Sequence, residues 1–487
     1  MEAAPALPRH PSGMPVGLRL AITLALPVAG AISVTGVYLN KEVLVAAAWV
    51  AFGIAALVFI QPLVGVAAMT ATFMLVAYPT IFQDLGFLTI NNLLGLCLAA
   101  VLAAHIVTTR DISPLKTRQT VMFIVIGIVL VLSTIHADVI FPVLTQSQSL
   151  GVKGKFLDRT SDMMHDYWAR LIFLVFFCAF VRTARDIRAM FFTFVLVLFI
   201  AVPSALLNWW QGTLAHGFRT AASVTAGANA NRLAMICLME MVCWWAWVVW
   251  HGGGVRWMIA LGAIGGAFLV ILATGSRSGL LGCAVLGLAV QFGPRHFRVS
   301  ALQIGVVVLA GVLAVATIVP PQAWDRMLSY SSEDRHAGAT ASLVAREQTI
   351  DTGFEMIRDH PFLGIGIGNF REVSRQVYLD PYFRPPHNSY LWAASEGGLL
   401  VLALYLALFW FTWNDLVRAT RLAHRDPSCV PIIVATRVMF FLYAFFAIFA
   451  DLWLNPITYY LIGSIVALRG YLERLPAPVP VVRGARR

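Results

Sequence analysis

Charge is what this sequence has least of. Of its 487 residues only 12% are Asp, Glu, Lys or Arg, while 59% are hydrophobic. An average soluble chain carries about 25% charged residues. The shortfall excludes a soluble globular protein, and a mean hydropathy of +0.78 excludes a disordered one. Cysteine is sparse too. The six residues (Cys97, Cys178, Cys237, Cys243, Cys283 and Cys429) fall almost entirely in apolar segments and never form CxxC, so neither a zinc site nor a disulfide framework is indicated. There is no DxD, the carboxylate pair with which many sugar transferases hold a divalent metal, and no HExxH or HxxEH. P-loop and GxSxG sequences are also missing. Gly364, Gly366 and Gly368 are spaced as GxGxG, not GxGxxG, and without strand–helix context they read as a turn.

What the chain does have is apolar blocks of roughly 18–25 residues, the length that crosses a ~30 Å hydrocarbon layer as helix. They lack the alternation of a membrane β-barrel. The blocks lie at 17–38, 42–60, 62–80, 87–108, 119–141, 168–181, 189–211, 231–250, 257–274, 278–293, 299–319, 388–413, 431–452 and 456–470. The fold class that follows is an all-α polytopic integral membrane protein with about 12–14 transmembrane helices. Arg9, His10 and Arg19 precede the first apolar run, and Ala29-Gly30-Ala31 imitates a signal-peptidase site. Because further spans follow at once, the run reads as an uncleaved first span.

The net charge is +11, and all but Lys41, Lys116, Lys153 and Lys155 of the 35 basic residues are Arg. This charge is scattered over loops, which points to anionic headgroups of the lipid bilayer as partner and not to nucleic acid. In the layout above, both termini, the turn 251–256 and the segments 109–118, 182–188, 294–298 and 414–426 share one side. Together they hold 17 Lys and Arg against six acidic residues, which makes that side cytoplasmic. Four regions result: transmembrane helices over 1–319, a large periplasmic loop over 320–386, C-terminal transmembrane helices over 387–470 and a basic cytoplasmic tail over 471–487. The loop carries seven Arg and nine acidic residues and a helical pattern of its own, with Leu343, Ile350, Phe354 and Ile357 on one face and Pro361 as its stop. A loop of that length is more often functional than a tether.

The polar residues that stand out all fall on the outer side. They are Arg219 (HGFRTAA), Asn229, Asn231 and Arg232 (GANANRLA), Arg277 (TGSRSGLLG), Arg346 (VAREQT) and His387 with Asn388 (PPHNSYLW). Outer arginines run against the positive-inside bias, and a planar guanidinium binds phosphate oxygens bidentately. Each residue also has a structural reading. Arg232 could snorkel from a helix start, and Arg277 could be a solvated turn charge. Arg346 could pair with an acid on its own helix. Asn388 and Ser389 could simply cap a helix, leaving His387 in a loop. Few charges fall deep within spans: Glu240, Arg437 and Asp451, with His105 and His136. Arg437 and Asp451 could form a structural pair.

Over about 205–400 the chain resembles the O-antigen ligase and O-antigen polymerase family of bacterial envelope glycosyltransferases. The resemblance rests on FRTAASVTAGANANRLA, on TGSRSGLLG at a span boundary, and on MIRDHPFLGIGIGNF followed by PPHNSYLWAASEGGLLVLALYL. It implies a GT-C-type membrane fold in the bacterial inner membrane, with the active site facing the periplasm. It implies an undecaprenyl-pyrophosphate-linked glycan as donor, with no metal and no cofactor. The acceptor would be lipid A core in a ligase, a second lipid-linked glycan in a polymerase, or a protein hydroxyl in a third branch. By the same resemblance His387 is the catalytic base, and Arg277 with Arg219 or Arg232 binds pyrophosphate. Arg346 and Asn388 are further substrate-binding candidates. The non-enzymatic alternative is a polytopic transporter of lipid-linked glycans, which would need charges lining a midspan cavity and internal repeats.

Overall fold

The structure, a computed structural model, describes residues 53–74, 90–141, 155–211, 229–293, 295–298 and 337–476. Among these residues every regular element is helical. The chain divides into two compact units. The first, drawn from residues up to Met69 and from 90–110, holds most of α1 (Pro62–Met74) and α2 (Ile90–Thr109). Gly65 lets these two helices close up, since a Cβ there would stand 2.9 Å from Leu98 Cδ2. The second unit runs from Asp111 and includes a short piece beginning at Thr70. Its helices are α3 (Arg118–Ile140), α4 (Lys155–Phe180), α5 (Ala184–Trp210), α6 (Ala230–His251), α7 (Gly254–Ala273), α8 (Arg277–Gln291), α9 (Ala337–Asp359), α10 (Phe370–Gln376), α11 (Ser389–Leu422), α12 (Val430–Phe446) and α13 (Pro456–Arg474). Eight of the described helices are long and apolar enough to cross a bilayer. The protein is an all-α polytopic membrane protein.

Of the spans read from hydropathy, 17–38, 299–319 and most of 42–60 lie outside the described residues. Three others differ in extent. The span expected from residue 168 is the end of α4, which starts at Lys155. Its polar first half falls below any hydropathy threshold, yet Thr160 is buried there and donates to Asn369 Oδ1 at 2.8 Å. The span expected to end at 452 stops at Phe446, because 447–455 is a partly buried turn of mostly apolar sequence that hydropathy reads as more helix. The span expected over 388–413 is the 34-residue helix α11, broken at Gly398, where φ is 74° and ψ is 177°.

That break is filled by the glycine-rich loop. Pro361 CO accepts from Leu399 N–H at 2.7 Å, while Ile365 and Gly366 N–H donate to the carbonyls of Ser395 and Glu396, each at 2.9 Å. Phe370 N–H reaches Glu396 Oε1 at 3.2 Å. Ser133 of α3 donates to Leu363 CO, and its oxygen accepts from Gly366 N–H at 3.1 Å. Gly364, Gly366 and Gly368 all have positive φ. A Cβ on Gly364 would collide with the Ser395 carbonyl, and one on Gly398 with that of Phe362. The glycines therefore allow two backbones to meet, as expected of a turn and not of a phosphate cradle.

Helix α9 exists where the sequence placed it and ends before Pro361, but it packs through another face. Phe354 is 60% exposed, while Ala345, Thr349, Thr352 and Met356 are buried. Small residues set this choice: a Cβ on Gly353 would stand 2.9 Å from Leu391 Cδ2, so only a smooth face can approach α11 so closely. At the far end of the bundle Asp415 of α11 is buried between Gln119 of α3 and Arg469 of α13, each bonded at 2.7 Å. Loss of Arg469 would leave the buried Asp415 charge without its ion pair.

A side chain at Gly398 combines a conformation tolerated almost only by glycine, costing about 1–3 kcal/mol, with a backbone collision. Gly398→Ala is expected to lower the thermal unfolding midpoint in detergent. Gly262→Ala, at a site with nothing within 4 Å, should leave it unchanged or raise it. Equal midpoints for the two variants would show that the break is not needed.

Candidate active site

Helices α6, α8, α11 and α13 all begin at one end of the bundle. Each start is capped by a polar side chain that accepts backbone N–H bonds: Asn229, Ser276, Asn388 and Asn455. Their positive dipole ends therefore gather in one place. Ser276 Oγ donates to Asn231 Oδ1 at 2.9 Å, tying the serine-arginine turn to the start of α6. Gly279 makes this possible, since a Cβ there would be 2.8 Å from that of Ala234.

The turn 447–455 is the centre of this end. Ser389 N–H donates to Ala447 CO at 2.7 Å, and Ser389 Oγ donates to Ala450 CO at 2.6 Å and accepts from Leu452 N–H at 2.8 Å. Arg170 of α4 donates to Leu454 CO, and Arg232 Nη2 donates to Asp451 CO at 2.8 Å. Tyr390 OH reaches Ala444 CO at 3.0 Å. These bonds carry the carboxylate of Asp451 to His387, whose Nδ1 lies 2.8 Å from Asp451 Oδ2. A carboxylate can only accept, so Nδ1 is the donor in this bond, which leaves Nε2 with a lone pair in the neutral ring. His387 has φ of +50°, a left-handed conformation that turns the chain just ahead of the α11 cap. The Asp451 side chain is only 9% exposed against 24% for His387, so the histidine is the more accessible partner.

Arginines surround the pair. Arg232 touches the Asp451 backbone. Burial lowers the pKa of Arg346, the nearby Asp451 charge raises it, and the charges of Arg277 and Arg384 lower it again. Arg346, Arg277, Arg384 and Asp451 thus share one electrostatic neighbourhood. Among the described residues Arg346 makes no ion pair on its own helix. Asn388 has the capping role, its Oδ1 accepting from Tyr390 and Leu391 N–H, both at 3.0 Å. Arg219 lies outside the described residues.

Sequence reasoning placed Asp451 with Arg437, but the structure separates them: Arg437 lies over the Trp413 ring at 5.5 Å. A carboxylate standing alone in FADLWLN was a visible signal, though its partner is 64 residues away. Arg384 gave no signal beyond its place before PPHNSYL.

Residues 261–406 match the family model Wzy_C, described as O-Antigen ligase. Over that stretch the chain is similar to the O-antigen ligase family. No curated protein matches the chain. The matched stretch runs from within α7 through α10 to α11 past its break, and so includes Arg277, Arg346, Arg384 and His387. Arg232 and Asp451 lie outside the matched stretch and are joined to it by the geometry.

Ser389 holds both strands of this junction. Ser389→Ala would remove both side-chain bonds and leave Leu452 N–H only its 3.1 Å bond to Ala450 CO, at a cost of about 0.5–1.5 kcal/mol for each bond lost. The expected result is a lower unfolding midpoint in detergent. An unchanged midpoint would mean that the turn is held without it.

Proposed function

We propose that this chain is an inverting, metal-independent glycosyltransferase. It would move a glycan from undecaprenyl pyrophosphate to an acceptor hydroxyl at the periplasmic face of the bacterial inner membrane, with lipid A core as the acceptor. The observation that carries this reading is the His387–Asp451 pair set among arginines at the end of the bundle where the helix N-termini converge. The ligase-domain match supports the reaction class, and the charge bias of the loops supports the orientation.

In this reading the acceptor hydroxyl oxygen attacks the anomeric carbon. The carbon–oxygen bond to pyrophosphate breaks, and its electron pair leaves with the phosphate. The hydroxyl proton passes to His387 Nε2 as general base, a role worth roughly 10²–10⁴ in rate. Asp451 holds the ring and steadies the imidazolium that forms. Arg232 and Arg277, with Arg346 at the substrate, face the charge that grows on the leaving group. One such preorganised donor contributes about 10²–10³. A single displacement inverts the anomeric centre.

The test uses purified protein in detergent with EDTA, an undecaprenyl-pyrophosphate-linked glycan, and lipid A core added or omitted. Transfer to lipid A core is expected, falling roughly 10²–10⁴-fold in His387→Ala and about 10²-fold or more in Arg277→Ala. Asp451→Asn should lower kcat with little change in donor KM, because it acts through the ring and not on the donor. Growth of longer chains on the carrier alone would make the protein a polymerase. Absence of turnover by a folded protein with a matching donor would favour the transporter reading.

A further inference from the structure

The loop that fills the break in α11 lies at a depth where a bilayer has no water. The water boundary at the far end of the bundle is marked by exposed Arg118 and by Arg418, whose side chain is 60% exposed, beside the buried Gln119–Asp415 bond. At 1.5 Å per residue, Ser133 of α3 stands about 21 Å from Gln119, and Gly398 of α11 about 25 Å from Asp415. A hydrocarbon layer is about 30 Å thick. Ser133 bonds Leu363, and Gly398 contacts Phe362, so the loop reaches below the boundary at the site end. Helix α3 continues beyond Ser133 to Ile140: Ile135, 57% exposed, is apolar and suited to lipid above the level of the loop, and exposed Asp138 marks the approach to water.

The loop is built for that depth. Positions 361–370 contain no charged residue. Residues 364–370 are all buried, and the N–H groups of Ile365, Gly366 and Phe370 are bonded to Ser395 and Glu396. Non-helical backbone survives at membrane depth only where protein satisfies it in this way. Phe362 is the exception: it is 80% exposed, beside Leu399 and Leu400, themselves 48% and 47% exposed on the span. We infer that residues 361–370 form a re-entrant loop and that Phe362 projects into the acyl chains of the surrounding bilayer, continuous with the lipid-facing surface of α3 and α11. This inference does not depend on the reaction proposed above.

Two measurements test it. In the first, Phe362→p-benzoylphenylalanine protein is placed in nanodiscs of phosphatidylethanolamine and phosphatidylglycerol and irradiated, and adducts are read by mass spectrometry. The expected product is one phospholipid joined through its acyl chain, as for the same replacement at Leu132, which is 51% exposed on α3. No acyl adduct at 362 while Leu132 gives one would overturn the inference. So would an adduct that forms only when undecaprenyl phosphate is added, since position 362 would then line a substrate groove. The second measurement uses the unaltered protein and so does not depend on a variant folding. Phe362 and Leu379 are 80% and 79% exposed, and a phenylalanine reacts faster with hydroxyl radical than a leucine. In the same nanodiscs Leu379 should be oxidised and Phe362 spared. Oxidation of both would place Phe362 in water and reject the loop's insertion.

Discussion

A backbone amide inside a bilayer has no water to bond, so each must find its partner within the protein. Helices meet this demand by themselves. Two places among the described residues where the chain departs from helix, the break at Gly398 and the turn 447–455, meet it in part by borrowing from another element. The break takes the loop 361–370. The turn takes Ser389, Arg170 and Arg232. Both borrowings involve α11, one at Ser389 and one at Gly398, and together they fix the eight residues between. The helix that begins with His387 and Asn388 is therefore held at two points, and the histidine inherits that rigidity.

Electrostatics then decides what the rigid end can hold. Asp451 is the carboxylate of the neighbourhood and is bonded to His387. The charges of Arg277 and Arg384 act on Arg346 there, and burial adds to the cost of keeping Arg346 charged. Four helix N-termini point the same way, and such ends favour negative charge.

How much of this was legible in the sequence varied with the range of the interaction. Helices read from apolar runs were found because hydropathy is local, and their ends were missed where burial and polarity part company. The polar first half of α4 is packed through Thr160, and the apolar stretch after Phe446 is a turn. His387, Arg232, Arg277 and Arg346 were singled out by residue type, and the fold gathers them at one end. Asp451 was noticed but given the wrong companion, because no spacing rule links it to a histidine 64 residues earlier. The packing face of α9 was misread for a different reason: an exposed Phe354 imitates a core residue in any periodicity count, and the small residues that actually pack carry no such signal.

The bond from Arg232 to the Asp451 carbonyl spans 219 residues. During synthesis, Arg232, Arg277, Arg346 and His387 are all made before residue 451, so His387 has no Asp451 carboxylate to bond, and Arg232 no Asp451 carbonyl, until the last two helices are in place. The junction therefore closes only when the C-terminal pair of helices has docked.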